Sequence, residues 1–180
     1  MSLEYGVEAF VLISSDKAIN PTSVYGATKK ASEYIVQGLV GKGDTRFIVV
    51  RFGNVIRSRG SIIPLFERQI CQGGPLTITD PQMERFFMSI PEAAYLVLQS
   101  GAVAESGQVC VLDMGASVKV VDLAHNLIEM AGLRPDIDIE IKIIGSRPGE
   151  KIAEEIVHSV ERLRPTQWEK ILIDEPDQID

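Results

Sequence analysis

Three short apolar runs limit how this chain can fold more than any other feature of its sequence. They are AFVLIS at residues 9–14, RFIVVRF at residues 46–52 and QVCVL at residues 108–112. A continuous apolar run of this length is typical of a strand buried on both faces, which is common in parallel sheets. Segments that favour helices lie between and after the runs, at residues 22–40, 61–73, 91–103 and 120–131. This alternation predicts an α/β fold with a mostly parallel sheet.

The remaining segments suggest how the chain is organised. The stretches 53–90 and 132–160 are less regular, although residues 76–79 and 138–144 alternate as strands do and a short helix is expected to end near Val160. We expect these stretches to form a small lobe beside the sheet. One domain would cover residues 1–164, and residues 165–180 would be a polar, loosely attached tail.

Charge and cysteine content exclude several functional classes. The chain of 180 residues has a formal net charge of -7, which argues against nucleic acid as a partner because phosphate neutralisation needs clustered Lys and Arg. Cys71 and Cys110 are far apart and have no paired neighbour, so we expect reduced thiols and no metal site. No run is long enough to span a membrane, and the first residues do not resemble a signal peptide, which predicts a cytoplasmic protein.

The first helix carries a pair of side chains suited to acid–base chemistry. Thr22 or Ser23 is a plausible N-cap, and Tyr25 and Lys29 are four residues apart, so they share one face of the helix. A nearby ammonium group stabilises a phenolate and makes tyrosine a better base toward an alcohol. The spacing alone is common on solvated helices. Its position after a buried strand and the segment Ser-Ser-Asp-Lys strengthens the interpretation, because ligands of open α/β sheets bind beyond the carboxyl ends of strands.

Several motifs, in order, resemble one family. SSDKAINPTSVYGATKK, the segment RFGNVIRSRGSIIPLFERQICQGGPLTITDPQMERFFMSIPEAAYLVLQ, VLDMGASVKVVDLA and RPGEK are similar to extended short-chain dehydrogenases/reductases. Within these, they resemble the nucleotide-sugar 4,6-dehydratases of the capsular polysaccharide biosynthesis type. The resemblance covers about residues 5–160 and implies a Rossmann-like, doubly wound sheet, NAD(P) as cofactor and a UDP-linked N-acetylhexosamine as substrate.

The resemblance also implies roles for the residues around the first strand. Tyr25 would be the base for the C4 hydroxyl, and Lys29 would assist it and hold the nicotinamide ribose. Ser14 or Ser15 would hydrogen-bond the C4 oxygen, with Ser14 also near the cofactor. Asp16 would protonate the departing C6 hydroxyl, and Lys17 would take the C5 proton. A surface Asp-Lys pair is the alternative reading of these last two residues.

Further positions match the cofactor and substrate sites of the family. Phe52 would contact the cofactor. Substrate contacts would come from Asn54, Ser61, Arg85, Arg147 and Glu150. Three of these residues have a plainer reading: Asn54 as a turn residue, Ser61 as a helix N-cap, and Glu150 as a partner of Arg147.

One expected element is not found. No segment combines a strand, a Gly-rich turn and a following helix, which is the arrangement that binds a dinucleotide. We therefore expect this chain to correspond to the C-terminal half of the enzyme domain, with the missing N-terminal half as a partner, to be inactive alone, and to form a homo-oligomer through the unpaired edge of strand 9–14. Two other functions stay open: a nucleotide-sugar 4-epimerase, and a non-catalytic UDP-sugar-binding or assembly module.

Overall fold

The structure is a computed structural model that describes residues 1–157 and 163–174. Two compact units divide the chain. The sheet unit contains Met1–Gly53, Pro91–Met114 and the described residues from Glu155 onward, and the second unit contains Asn54–Ile90 and Gly115–Glu154. The sequence assigned only the stretches 53–90 and 132–160 to a lobe. The second unit also includes residues 115–131.

Among the described residues, the sheet unit is built on five strands. The parallel strands are β1 (Ala9–Ile13), β2 (Arg46–Arg51) and β7 (Val109–Leu112), and the antiparallel ones are β11 (Ile171–Asp174) and β10 (Leu163–Pro165). Their order across the sheet is β1-β2-β7-β11-β10. Helices α1 (Val24–Gln37) and α3 (Ile90–Val103) connect the parallel strands. The mostly parallel α/β fold predicted from the apolar runs is confirmed.

The second unit has smaller sheets than the sheet unit, and it has its own apolar core. Its helices are α2 (Ile62–Cys71) and α4 (Val120–Met130), and its strands are β3 (Asn54–Val55), β4 (Leu76–Ile78), β5 (Glu84–Arg85), β6 (Phe87–Met88), β8 (Val118–Lys119) and β9 (Ile141–Ile143). The strands pair two by two: β3 with β6, β4 with β9 and β5 with β8. Phe66 and Ile70 of α2 pack with Ala124 and Ile128 of α4 and with Leu76, so the two helices close over β4.

Strand β1 is less buried than its apolar sequence predicted. Its residues are half-buried, and Ile13 is 41% exposed. The reason is its position, because β1 stands at the edge of the sheet and pairs only with β2 in the described chain. Strands β2 and β7, with neighbours on both sides, are buried almost throughout.

Helix α1 turns an unexpected face toward the protein. The recurring apolar positions Val24, Ala27, Ala31 and Ile35 are exposed, whereas Gly26, Glu33 and Val36 are buried. Hydrophobic periodicity alone would bury the apolar stripe. The buried carboxylate of Glu33 instead sets which face of the helix is buried, because its ion-pair partner Arg51 lies inside the sheet unit.

The end of the chain also differs from the sequence prediction. Strand β11 lies inside the predicted loose tail, yet it pairs with β7 and buries Ile171 and Ile173. The alternation of these isoleucines with less buried neighbours is the signature of a packed strand. The predicted helix ending near Val160 is wrong for residues 151–157, which contain no helix, and its remaining part lies outside the described residues. None of the helices described is both long and apolar enough to cross a membrane.

Candidate functional site

The segment after β1 brings three of the predicted catalytic side chains together. Asp16 is fully buried, and its Oδ1 accepts hydrogen bonds from the Ser15 hydroxyl at 2.7 Å and the Lys17 ammonium group at 2.9 Å. Its other oxygen, Oδ2, is buried without a hydrogen-bond partner in the described chain. A buried carboxylate oxygen left unsatisfied is costly, and such atoms cluster at functional sites. This geometry contradicts the reading of Asp16 and Lys17 as a solvated surface pair.

Tyr25 and Lys29 lie on α1, which begins after Ser23, whose hydroxyl accepts a hydrogen bond from the Gly26 amide. The Lys29 ammonium nitrogen is 5.9 Å from the centre of the Tyr25 ring and donates to the Ile13 carbonyl at the end of β1. Tyr25 is 55% exposed. An exposed phenol beside a fixed ammonium group is accessible to an alcohol substrate and to a nicotinamide ribose.

Close packing fixes the segment against the start of α1. The Asp16 amide donates to the Phe52 carbonyl at 3.2 Å, so the backbone of Phe52 holds segment 14–17, which carries the predicted catalytic residues Ser15, Asp16 and Lys17. A Cβ atom added to Gly26 would lie 2.3 Å from the Lys17 carbonyl oxygen. Only glycine allows the helix to approach the backbone this closely.

A buried charged cluster lies behind Ser14. The Ser14 hydroxyl donates to Glu33 at 2.6 Å, and the Arg51 guanidinium donates twice to Glu33 and once to Asp174, each at 2.8 Å. Lys30 adds an ion pair with Glu33 at 3.4 Å. We call these five residues the Glu33 network. Ser14 is therefore turned toward Glu33, which leaves Ser15 as the serine beside Asp16.

Electrostatics keep the central carboxyl of the Glu33 network ionised. Burial alone would raise the pKa of Glu33, but the hydrogen bonds and charge of Arg51, with smaller contributions from Ser14 and Lys30, hold it below its usual range. Burial would lower the pKa of Arg51, and the bonds to Glu33 and Asp174 outweigh that effect and raise it.

The second unit holds the predicted substrate-binding residues. Ser61 is the N-cap residue of α2, but its side chain makes no capping bond, and its buried Oγ has no partner among residues 1–157 and 163–174. It lines a cavity of about 280 Å³ together with Thr79, Arg147 and Glu150 on the polar side and Leu65 on the apolar side. A helix N-terminus and a guanidinium group are both suited to an anion.

The other predicted ligands are held by their own neighbours. Glu150 accepts from the Arg147 amide at 3.1 Å and from the Thr79 hydroxyl at 3.3 Å, so it fixes the Arg147 loop through the backbone. Arg85 is buried and donates to the carbonyls of Glu84, Lys151 and Ile152. These contacts give Arg85 a structural task in joining β5 to the segment after the Arg147 loop.

Asn54 is half-buried at the start of β3, where its backbone N–H group donates to the Phe86 carbonyl. Its strand belongs to the second unit, as do Ser61, Arg85, Arg147 and Glu150, whereas the predicted catalytic residues belong to the sheet unit. The substrate-binding roles of these five residues stay predictions.

Sequence reasoning missed Glu33, Arg51, Asp174 and Gly26. Two signals were present in the sequence. Arg51 ends an otherwise apolar buried strand, and a buried cation needs a partner. Glu33 lies four residues beyond Lys29, and therefore on a nearby face of the same helix. The contribution of Asp174 could not be found, because the sequence assigned it to the tail.

Comparison with known sequences places this geometry in context. The sequence profile of a family described as polysaccharide biosynthesis protein matches residues 1–176. The capsular polysaccharide biosynthesis protein CapD of Staphylococcus aureus is 54% identical over 167 residues, which are 92% of this chain and 28% of CapD. A UDP-N-acetylglucosamine 4,6-dehydratase (inverting) of Campylobacter jejuni subsp. jejuni serotype O:23/36 is 39% identical over 160 residues, 87% of this chain and 45% of that enzyme.

Solved structures of similar proteins share the fold of this chain. Pen from Bacillus thuringiensis superposes with a TM-score of 0.88 at 34% identity, covering 98% of this chain and 55% of Pen. Nucleotide-sugar dehydratases and an epimerase solved with NAD share the fold at 17% to 19% identity. UDP-glucose 4-epimerases of Rickettsia species also match in sequence, at 38% to 39% identity.

The matches bear on both the fold and the length of the chain. They confirm the Rossmann-like fold and the resemblance to nucleotide-sugar dehydratases of the short-chain dehydrogenase/reductase type. The chain spans about half the length, or less, of the relatives named here: 28% of CapD, 45% of the Campylobacter enzyme and 55% of Pen. Because the profile covers residues 1–176, the chain belongs to the polysaccharide biosynthesis protein family.

Proposed function

We propose that this chain carries the acid–base residues of a nucleotide-sugar 4,6-dehydratase acting on a UDP-N-acetylglucosamine-type substrate. The observation that supports this most is the buried Asp16 carboxylate, which is bonded to Ser15 and Lys17 and has one oxygen without a partner in the described part of the chain. Removing water across C5 and C6 needs an acid for the hydroxyl and a base for the proton, and Asp16 and Lys17 are adjacent groups of these two kinds.

Tyr25 and Lys29 serve the oxidation at C4. Lys29 stabilises the phenolate of Tyr25, which takes the proton of the C4 hydroxyl and becomes a neutral phenol, and Ser15 hydrogen-bonds the C4 oxygen. The exposed Tyr25 and the adjacent Lys29 fit the nicotinamide ribose of NAD(P), and Phe52 lies at the same strand ends. When bound, NAD(P) would accept the hydride from C4 and later return it to C6.

Elimination follows from the acidity of C5 beside the new C4 carbonyl. In the reactive arrangement, the proton shared in the Lys17–Asp16 hydrogen bond lies on Asp16, so Lys17 is neutral. Lys17 then takes the C5 proton, the C6–O bond breaks, and Asp16 gives its proton to the departing hydroxyl, which leaves as water. After C6 is reduced, Lys17 returns a proton to C5. Asp16 is reprotonated from solvent and Tyr25 releases its proton to solvent, so the groups are ready for another turnover.

The nucleotide would bind to the second unit. Ser61 and the first amides of α2 would bind a diphosphate oxygen, and Arg147 would neutralise its charge. Glu150 would hold the Arg147 loop and meet the ribose. Asn54 is proposed to contact the sugar or phosphate, and Arg85 the diphosphate or ribose, in addition to its structural bonds.

The test separates the two halves of the reaction. UDP-N-acetylglucosamine and NAD+ are supplied to the 180-residue chain and to a fusion that places the N-terminal portion of Pen before Met1. Mass spectrometry follows water loss, and the nicotinamide absorbance follows C4 oxidation. Because the cofactor turn was not found in this sequence, we expect water loss only with the fusion.

Variants of the fusion assign the roles. Tyr25→Phe should abolish both signals, whereas Asp16→Asn should retain cofactor reduction and lose water elimination. Asp44→Asn, at an exposed position, is the matched control and should behave as the parent. Asp16→Asn eliminating water at the parent rate would overturn the proposal.

Two other outcomes identify the alternatives. A product of unchanged mass and inverted configuration at C4 would identify a 4-epimerase, a function favoured by the Rickettsia relatives. Binding of UDP-N-acetylglucosamine without either product, even in the fusion, would identify a non-catalytic binding or assembly module.

A further inference from the structure

Burying the charges of the Glu33 network costs free energy, so the network is an inefficient source of stability for the fold. Glu33, Arg51 and Asp174 are 0%, 2% and 4% exposed. Removing each charge from water costs several kcal/mol, and apolar replacements of such clusters are often as stable or more stable. A network of this kind is better explained by the geometry that it imposes than by the stability that it adds. Its location shows which geometry that is.

The network reaches the catalytic segment through Ser14. The Ser14 hydroxyl donates to Glu33, and its amide donates to the Val50 carbonyl at 2.8 Å. The Asp16 amide donates to the Phe52 carbonyl. Arg51 lies between Val50 and Phe52 in the sequence. The carbonyls of Val50 and Phe52, which hold the segment, therefore flank the residue that Glu33 and Asp174 bind.

Three elements far apart in sequence are tied together in this way. Glu33 comes from the middle of α1, Arg51 ends β2, and Asp174 ends β11. Strand β7 separates β2 from β11 in the sheet. The Arg51 side chain spans this distance to Asp174, which links the last described strand to the end of β1.

From this geometry we propose that Glu33, Arg51 and Asp174 are positioning residues that fix Ser14 and thereby the backbone from which Ser15 and Asp16 project. The catalytic consequence rests on the proposed function, whereas the structural consequence does not. Loss of the Ser14 hydroxyl bond should loosen residues 14–16 selectively and leave the centre of the sheet unchanged.

Hydrogen exchange of single amides, measured by NMR without substrate, tests the structural consequence. In Ser14→Ala, the amides of residues 14 and 16 should exchange about fivefold to tenfold faster, the effect of losing roughly one hydrogen bond. The Val49 amide, which donates to Gln108 in the centre of the sheet, is the internal reference and should not change. Ser14→Thr, which keeps the hydroxyl, should restore protection, and Ser14→Val, nearly isosteric with threonine, should not.

A matched serine elsewhere in the sheet unit controls for the cost of the substitution itself. Ser100 is also buried, and its hydroxyl donates to the Leu96 carbonyl within α3. Ser100→Ala should leave exchange at residues 14 and 16 unchanged. Asp174→Asn, which removes the charge and keeps the shape, should accelerate exchange at residue 16 even if Glu33→Gln fails to fold.

Steady-state kinetics of the fusion test the catalytic consequence. Ser14→Ala should lower kcat about tenfold to a hundredfold with little change in KM, as expected when reacting groups are misplaced by a fraction of an ångström. Selective exchange without any dehydration by the parent would support the positioning role and reject the proposed function. Uniform acceleration of exchange in Ser14→Ala, or none, would overturn the positioning role whatever the activity.

Discussion

Among single residues, one glycine matters to the proposed catalytic segment, residues 14–17, as much as its charged groups do. Gly26 allows α1 to approach the Lys17 carbonyl so closely that any Cβ atom would overlap it. The residue therefore links the start of the helix that carries Tyr25 and Lys29 to the backbone that carries Asp16 and Lys17.

Gly26→Ala should therefore destabilise the protein although alanine favours helices. Overpacking of this kind costs about 1–3 kcal/mol. Here the added Cβ would meet a backbone atom, which cannot relieve the overlap by changing rotamer. Gly101→Ala in α3 is the control, since its Cβ would meet only the Val11 side chain, at 3.2 Å. Urea denaturation gives both free energies of unfolding, and a Gly26→Ala protein at least as stable as Gly101→Ala would contradict the interpretation.

The pH dependence of stability should report the ionised Glu33. Its pKa is lowered in the folded state, so the unfolded chain binds more protons as acid is added. The contribution of Glu33 is complete above its usual pKa and is lost as pH falls through the folded value. We expect the free energy of unfolding to begin to fall as the pH drops below about 5, near the usual pKa of glutamate, and to keep falling until the folded carboxyl is protonated.

Glu33→Gln isolates this contribution. The variant should be less stable at neutral pH by about 3–5 kcal/mol, because the buried Arg51 charge loses its main partner, and it should lose part of the acid dependence. Denaturant titrations at several pH values measure both effects. Parallel stability curves for the two proteins across the acid range would show that Glu33 is not the responsible group.

At the scale of elements, β11 changes the status of the C-terminal region from tail to part of the sheet. Its Ile171 is fully buried, and Asp174 at its end joins the Glu33 network. Strand β11 therefore contributes both apolar packing and a charged contact to the sheet unit.

Ile171→Ala should cost about 2–5 kcal/mol, as expected for truncation of a buried aliphatic side chain. Ile137→Ala, where the side chain is 70% exposed, should change the free energy of unfolding by less than about 0.5 kcal/mol. Thermal and urea unfolding compare the two. Equal, small losses would mean that β11 is not packed as described.

At the scale of the whole molecule, the edge of β1 is the feature with the clearest consequence. This strand is parallel to β2 and has no second neighbour in the described chain. An unpaired strand edge is a template for pairing with another chain. The predicted homo-oligomer follows from this edge.

Light scattering over a range of concentrations should therefore show self-association of the 180-residue chain. The fusion with the N-terminal portion of Pen should reduce the association that depends on this edge, because the added segment would supply a neighbour for β1. A monodisperse monomer at all concentrations would contradict this prediction for the chain alone.

Local patterns could predict the elements but not which faces they bury. The apolar runs located β1, β2 and β7, and the candidate caps Thr22 and Ser23 marked the start of α1, of which Ser23 is the N-cap. Strand length, periodicity and capping are properties of neighbouring residues. The exposed stripe of α1 was not predictable, since the buried partner of Glu33 comes from β2. Tertiary packing overrides a local pattern of this kind.

The α/β class, the family and the residue types at Ser15, Asp16, Lys17, Tyr25 and Lys29 could be recognised in the unfolded chain, because each of these depends on order and spacing. Folding was needed to show that Asp16 is buried with an oxygen left without a partner among the described residues, that Ser14 faces Glu33, and that Asp174 reaches Arg51. Burial and ion pairing depend on residues distant in sequence, and their energies are fixed only when the sheet brings those residues together.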